Sequence, residues 1–156
     1  PYYIATNIIL RAFEDSACEN IIVMVQKEVA EKFTARVKEK EYSSLGIITE
    51  LISIDSRILF DVPPESFDPP PKIMSSILFI KKDMDKVLDK DFNKFLKACF
   101  VQPRKKLSKN LTSVLSKEAI SEIYKELNID DNVRPHEVSS SLYSQMHTRV
   151  KDGRNK

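Results

Sequence analysis

The amino-acid sequence predicts an α/β segment followed by a small all-α domain. Short β-branched runs alternate with helical periodicities up to about residue 82. No strand signal survives beyond it. Charge divides at the same place: residues 1–82 hold 10 basic and 12 acidic residues, net −2, whereas residues 83–156 hold 15 and 11, net +4. The expected organisation is therefore 1–82 and 83–156, with the boundary near Lys82–Asp83.

Ile4, Ile8, Ile9 and Phe13 fall on one face of a short helix. Ile21-Ile22-Val23-Met24-Val25 is short, β-branched and flanked by polar residues, and reads as a buried strand of a parallel sheet. From Gln26 to about Lys38, Val29, Phe33 and Val37 recur four apart. Lys27, Glu31, Lys32 and Arg36 lie elsewhere on the wheel, so this segment reads as an amphipathic helix with a solvated polar side. Ser44 can cap a helix carrying Leu45, Ile48, Leu51 and Ile52. Ser56 to Val62 reads as a strand stopped by Pro63-Pro64. Ile73 to Ile80 is another, and so short a connection predicts antiparallel neighbours.

Beyond Lys82 only helical patterns remain. Phe92, Phe95, Leu96, Cys99 and Phe100 form an apolar stripe at i, i+3, i+4, i+7 and i+8. A second helix, beginning after Pro103, carries Leu107, Leu111, Val114 and Leu115. Ser116 can cap a third with Ile120, Ile123, Tyr124 and Leu127. Ser139 can cap a fourth with Leu142 and Met146.

Composition excludes several functions. The longest apolar run, Ile21 to Val25, is far short of the roughly 18 residues that span a membrane. Cys18 and Cys99 lie far apart without a CxxC pair, which favours buried thiols in a reducing, cytoplasmic compartment over a disulfide. His136 and His147 lack metal-ligand spacing, so no metal is expected. With 2 glycines, Gly46 and Gly153, neither a GxGxxG turn nor a P-loop can form. The start at Pro1, directly before a helix and without a lead-in element, reads as a cut through a folded unit.

Three features carry chemistry. Pro1-Tyr2-Tyr3-Ile4 places aromatic rings at a helix start, a pattern that simple packing also explains. Phe67-Asp68-Pro69-Pro70-Pro71-Lys72-Ile73 is stiff and extended between two strands. It either presents Phe67 at the sheet edge or tucks that ring into the core. The third is Cys99 to Leu111. Lys90 to Asn110 holds Lys90, Lys94, Lys97, Arg104, Lys105, Lys106 and Lys109 against Asp91 alone, net +6. Cations at a helix start oppose the macrodipole. That placement suits phosphate contact, with a solvated basic face as the alternative.

Taken in order, PYYIA, VMVQKEVAEKF, YSSLG, ESFDPPPKIMSSILF and CFVQPRKKLSKNL resemble the ribosomal RNA adenine dimethyltransferase family, over nearly the whole chain. The likeness is greatest to its small-subunit branch, which dimethylates adjacent adenines at N6. It implies that residues 1–82 are the C-terminal part of a Rossmann-like, class I methyltransferase domain and that 83–156 are a helical RNA-facing domain. Pro1 and Tyr2 match the last two positions of the family's Asn-Leu-Pro-Tyr motif. By the same resemblance the catalytic positions are Pro1, Tyr2 and Phe67, with Tyr2 and Phe67 stacking on opposite faces of a flipped adenine. The RNA-binding candidates are Lys94, Lys97, Arg104, Lys105, Lys106 and Lys109.

The implied cofactor is S-adenosylmethionine, held mainly by residues upstream of Pro1, so this chain alone is expected to be inactive. The implied partner is small-subunit rRNA within an immature ribosomal particle, met as a monomer. Two alternatives share part of the pattern: a large-subunit rRNA methyltransferase of the macrolide-resistance type, and a mainly non-catalytic ribosome-assembly factor.

Overall fold

A computed structural model describes residues 4–154. In order, the elements are α1 (Ala5–Glu14), β1 (Asn20–Gln26), α2 (Lys27–Thr34), α3 (Ser44–Ile52), β2 (Ser53–Val62), β3 (Ser75–Lys82), α4 (Lys90–Cys99), α5 (Leu107–Leu111), α6 (Lys117–Leu127) and α7 (Ser140–Arg154). The chain forms two compact units, Pro1–Ala35 with Ile48–Leu88, and Arg36–Ile47 with Asp89–Lys156.

The first unit is built on a sheet of order β1-β3-β2, with β3 antiparallel to both neighbours. Alternation sets its two faces. Ile21, Val25, Leu78 and Ile80 are buried on one, where α2 packs and contributes Ala30 and Phe33. Phe13 of α1 meets Phe33 edge-to-face, with ring centroids 6.1 Å apart. On the opposite face Ile22, Met24 and Phe60 are exposed, and the guanidinium of Arg57 lies over the Phe79 ring at 5.6 Å. Lys82 is buried with its ammonium donating to the carbonyls of Ala12 at 2.8 Å and Asp15 at 2.6 Å. These carbonyls end α1, where a cation complements the helix dipole.

The second unit is helical. Phe92, Phe95, Leu96 and Cys99 of α4, Leu107 and Leu111 of α5, Ile120, Ile123 and Tyr124 of α6, and Tyr143, Met146 and Val150 of α7 are buried. Polar anchors fix its loops. The Tyr143 hydroxyl donates to the Pro135 carbonyl at 2.6 Å, and the Tyr42 hydroxyl donates to the Val138 carbonyl at 2.9 Å. Asp89 caps α4 by accepting from the backbone N–H groups of Asp91 and Phe92, and Ser116 caps α6 by accepting from Ala119. Ser139 accepts from the Leu142 N–H in the first turn of α7.

The α/β segment and the helical segment both form as the periodicities predict, as does the antiparallel pairing of the last two strands. Three local expectations change. β1 pairs antiparallel: its partner among the described residues is β3, which runs the other way. α2 stops at Thr34, because Ala35 turns extended and Lys38 adopts φ 73°, its N–H donating to the distant His136 carbonyl at 2.8 Å. Val37 therefore lies outside the helix. The basic run is not a helix start either: Pro103 to Lys106 form a turn, α5 begins at Leu107, and Val114 and Leu115 follow its end.

Candidate nucleic-acid interface

The loop carrying Phe67 joins β2 to β3. Because β1 and β2 both oppose β3, their carboxyl ends lie side by side, in a row formed by Gln26, Ser75 and Val62. That end of an α/β sheet is where ligands characteristically bind. It is tied by side chains. The Asp61 carboxylate accepts from the Ser76 hydroxyl at 2.7 Å and from the Lys27 ammonium at 3.0 Å. The hydroxyl first, then the ammonium, holds the Asp61 carboxyl below the usual range, and Asp61 raises Lys27 in return. The Lys27 N–H donates to the Met74 carbonyl at 3.0 Å, fixing the other end of the loop.

From this frame a 3₁₀ turn at Pro64–Ser66 leads into Phe67, whose N–H donates to the Pro64 carbonyl at 3.1 Å. Phe67 is half-buried and lies outside the core, while Asp68, Pro69 and Pro70 are exposed. Phe67 thus keeps partial solvent exposure on a short, proline-rich connection. Pro1 and Tyr2 lie outside the described residues.

The cationic candidates belong to the second unit. Lys94 and Lys97 are exposed on α4, opposite its buried Phe92, Phe95 and Leu96. Arg104, Lys105, Lys106 and Lys109 are exposed on the turn before α5 and on α5 itself. Lys106 is oriented: its ammonium donates to the Asn132 carboxamide oxygen at 2.7 Å.

The turn has an internal clamp that periodicity missed. Asn110 is buried; its Oδ1 accepts from the Gln102 N–H at 2.8 Å, and its Nδ2 donates to the carbonyls of Gln102 and Lys106, each at 3.1 Å. The Leu107 N–H donates to the Val133 carbonyl at 2.8 Å. The backbone bearing three consecutive cations is thereby held open to solvent. A signal was available, since Leu107, Asn110, Leu111 and Val114 follow i, i+3, i+4 and i+7. An asparagine on that apolar stripe implies a buried amide needing partners.

No glycine-rich phosphate turn occurs among the described residues. Both glycines, Gly46 and Gly153, lie within helices, and neither follows a strand. Nor do the described residues contain a cluster of metal-binding side chains. What the arrangement can do is present an aromatic surface to a base and a fixed array of cations to phosphates.

Residues 1–152 match the family model described as ribosomal RNA adenine dimethylase. The chain is 82% identical over 156 residues to the ribosomal RNA small subunit methyltransferase A of Aliarcobacter butzleri (strain RM4018), covering 100% of this chain and 59% of that relative. It is 48% identical over 147 residues to the protein of the same description from Sulfurimonas denitrificans, covering 94% of this chain and 54% of the relative. The chain thus spans little more than half the length of these relatives. Among solved structures, it is similar in fold to a dimethyladenosine transferase from Plasmodium falciparum, with a TM-score of 0.83 at 20% identity, over 97% of this chain and 64% of that one. The 23S rRNA methyltransferase ErmE also matches in fold, with a TM-score of 0.66 at 18% identity, over 97% of this chain and 62% of the other.

Proposed function

The chain belongs to the ribosomal RNA adenine dimethylase family, and from that premise we propose that it is the C-terminal portion of an enzyme dimethylating adjacent adenines at N6 in small-subunit rRNA. In this reading residues 1–82 are part of the methyltransferase domain and residues 83–156 face RNA. The whole protein uses S-adenosylmethionine as the methyl source, bound mainly by residues outside this chain, and works in the cytoplasm as a monomer on an immature small-subunit particle.

The observation that carries the reading is the clamped cationic turn. Arg104, Lys105, Lys106 and Lys109 protrude from a backbone fixed by Asn110, so phosphate contact requires little further ordering. Positioning is the protein's main task, because an exocyclic amine is a weak nucleophile whose lone pair is delocalised into the ring. Phe67, on a stiff connection at the carboxyl ends of two strands, has the chemistry to stack on an extruded adenine. Tyr2 would cover its other face. An amine that has accepted a methyl group sheds its proton readily, so no general base is assigned.

The uncovered apolar face of the sheet, with Ile22, Met24 and Phe60, supports a first unit that is part of a larger domain. The test uses the full-length protein and residues 1–156 in parallel, with small-subunit particles and naked large-subunit RNA as substrates. The expected result is methylation of the small-subunit particle by the full-length protein alone. Transfer by residues 1–156 alone, or preference for large-subunit RNA, overturns the assignment.

A further inference from the structure

A cavity of about 310 Å³ opens between α5 and α6, wholly within the second unit. α6 lines it with Lys117, Ile120, Ser121 and Tyr124, which share one helix face at i, i+3, i+4 and i+7. Lys109 of α5 and Asp131 of the loop after α6 complete the wall. Its volume sits at the lower end of small-ligand pockets, which run from roughly 300 to 1,000 Å³. That size suits one small planar group and is too small for a folded peptide.

Its chemistry narrows the occupant further. Ile120 and Tyr124 are buried and supply an apolar floor with an aromatic ring. Lys109 and Lys117 are exposed cations at the rim and favour an anion. Asp131 repels a bare anion and, as a carboxylate, only accepts hydrogen bonds, so the occupant must also bring donors. The Tyr124 hydroxyl is buried with no hydrogen-bond partner, which is unusual for a buried polar atom in a folded protein. Burial foremost, then Cys99 and Asp131, keeps its proton in place well above the ordinary tyrosine range.

A ribonucleotide satisfies all three demands at once, with a flat base, a phosphate, and N–H and ribose O–H donors. Inorganic phosphate satisfies only one. We propose that this cavity receives one unstacked nucleotide of the bound RNA, its base over Ile120 and Tyr124, its phosphate between Lys109 and Lys117, and its donors toward Asp131. The inference rests on the RNA-binding reading of this unit and assigns a second nucleotide contact, separate from the base handled by Phe67.

The experiment titrates the 156-residue chain with each of the four ribonucleoside monophosphates and, separately, with inorganic phosphate, following backbone amide NMR shifts. At least one nucleotide should shift Ile120, Ser121 and Tyr124 saturably, while phosphate should bind more weakly and leave them in place. Ser121→Phe fills the cavity at an exposed position without changing charge. It should weaken both nucleotide and small-subunit rRNA binding by about tenfold, as expected when one base no longer stacks, with an unchanged salt slope. Lys117→Ala, also exposed, should lower that slope by about one unit. Equal binding of phosphate and nucleotide, or full RNA affinity in Ser121→Phe, overturns the cavity assignment. If Ser121→Phe is silent while neutralising Arg104, Lys105, Lys106 and Lys109 abolishes RNA binding, the cavity inference fails and the interface stands. If all these variants bind RNA normally, the interface reading fails with it.

Discussion

Asn110 grips Gln102 by both backbone groups, its carboxamide accepting from the Gln102 N–H at 2.8 Å and donating to the Gln102 carbonyl at 3.1 Å. One side chain thereby closes the turn that displays Arg104, Lys105 and Lys106. Asn110→Ala removes the clamp and leaves the Lys106 carbonyl without its side-chain donor. A lost buried partner costs about 1–3 kcal/mol, so the urea midpoint of the helical unit should fall accordingly. RNA affinity should fall too, because cations on a loosened loop must be ordered on binding. A variant with an unchanged midpoint would show the clamp to be energetically idle.

The cations themselves are tested by salt. Each phosphate contact contributes roughly 0.7–0.9 to the log–log slope of affinity against salt. Replacing Arg104, Lys105, Lys106 and Lys109 together with alanine should flatten the slope by roughly three to four units. An unchanged slope would remove this segment from the interface. Lys106, held toward Asn132 at 2.7 Å, should be partly mimicked by Asn132→Ala, which frees the ammonium without removing its charge. That variant should keep the slope and lose a little affinity.

Periodicity made most of this architecture legible, and its failures share one cause. The stripe Phe92, Phe95, Leu96, Cys99 had one good solution, a helix packed on one face, and α4 adopts it. Ile21 to Val25 announced a strand but not its direction, since pairing depends on which strand arrives beside it, here β3 about fifty residues later. α2 ends early because the Lys38 N–H is claimed by a carbonyl nearly a hundred residues away. The Lys82 cap on α1 was likewise hidden, because it joins segments that no local window contains, whereas the Asn110 clamp is local and was signalled only by an asparagine on an apolar stripe. In the candidate site, residue types were readable from sequence; of what fixes their backbone, only the asparagine on the apolar stripe was.

Phe67 should separate catalysis from binding. In the full-length enzyme, Phe67→Ala removes one stacking surface worth about 1–3 kcal/mol, so kcat/KM for methylation should fall roughly 5- to 150-fold. Binding to the small-subunit particle should change little, because the phosphate contacts remain. Phe67→Tyr should restore most of the activity. Equal losses in affinity and turnover would place Phe67 among binding contacts instead. A silent Phe67→Ala would remove it from the reacting site altogether.

Lys82 tests how firmly β3 and α1 are joined. Its buried ammonium donates to the carbonyls of Ala12 and Asp15. Lys82→Met keeps the apolar stem and deletes both charge-assisted bonds, each worth about 1.5–3 kcal/mol. The relief of no longer burying a cation offsets part of that loss. The expected net effect is a destabilisation of about 1–3 kcal/mol by denaturant unfolding. Lys82→Arg should be worse than its charge suggests, since a planar fork cannot reproduce the compact ammonium beneath the helix end.

The two thiols should behave differently as pH rises. Cys18 is half-buried, whereas Cys99 is fully buried, and that burial pushes its thiol up to about 12 from an ordinary value near 9.0. At pH 8, iodoacetamide should therefore modify Cys18 and spare Cys99 until the protein unfolds. The stability consequence has a definite sign. Between about 9 and 12 the unfolded chain gives up the Cys99 proton while the folded chain keeps it, so stability is fully present below 9 and falls above it. One such proton contributes a slope of about 1.4 kcal/mol per pH unit. Tyr124 and Tyr143, also raised by burial, add the same trend above about 10. Urea midpoints should be flat from pH 7 to 9 and then decline, and Cys99→Ala should delay the decline to the tyrosine range. A midpoint constant to pH 11 would mean that these groups are far more accessible to water than their burial indicates.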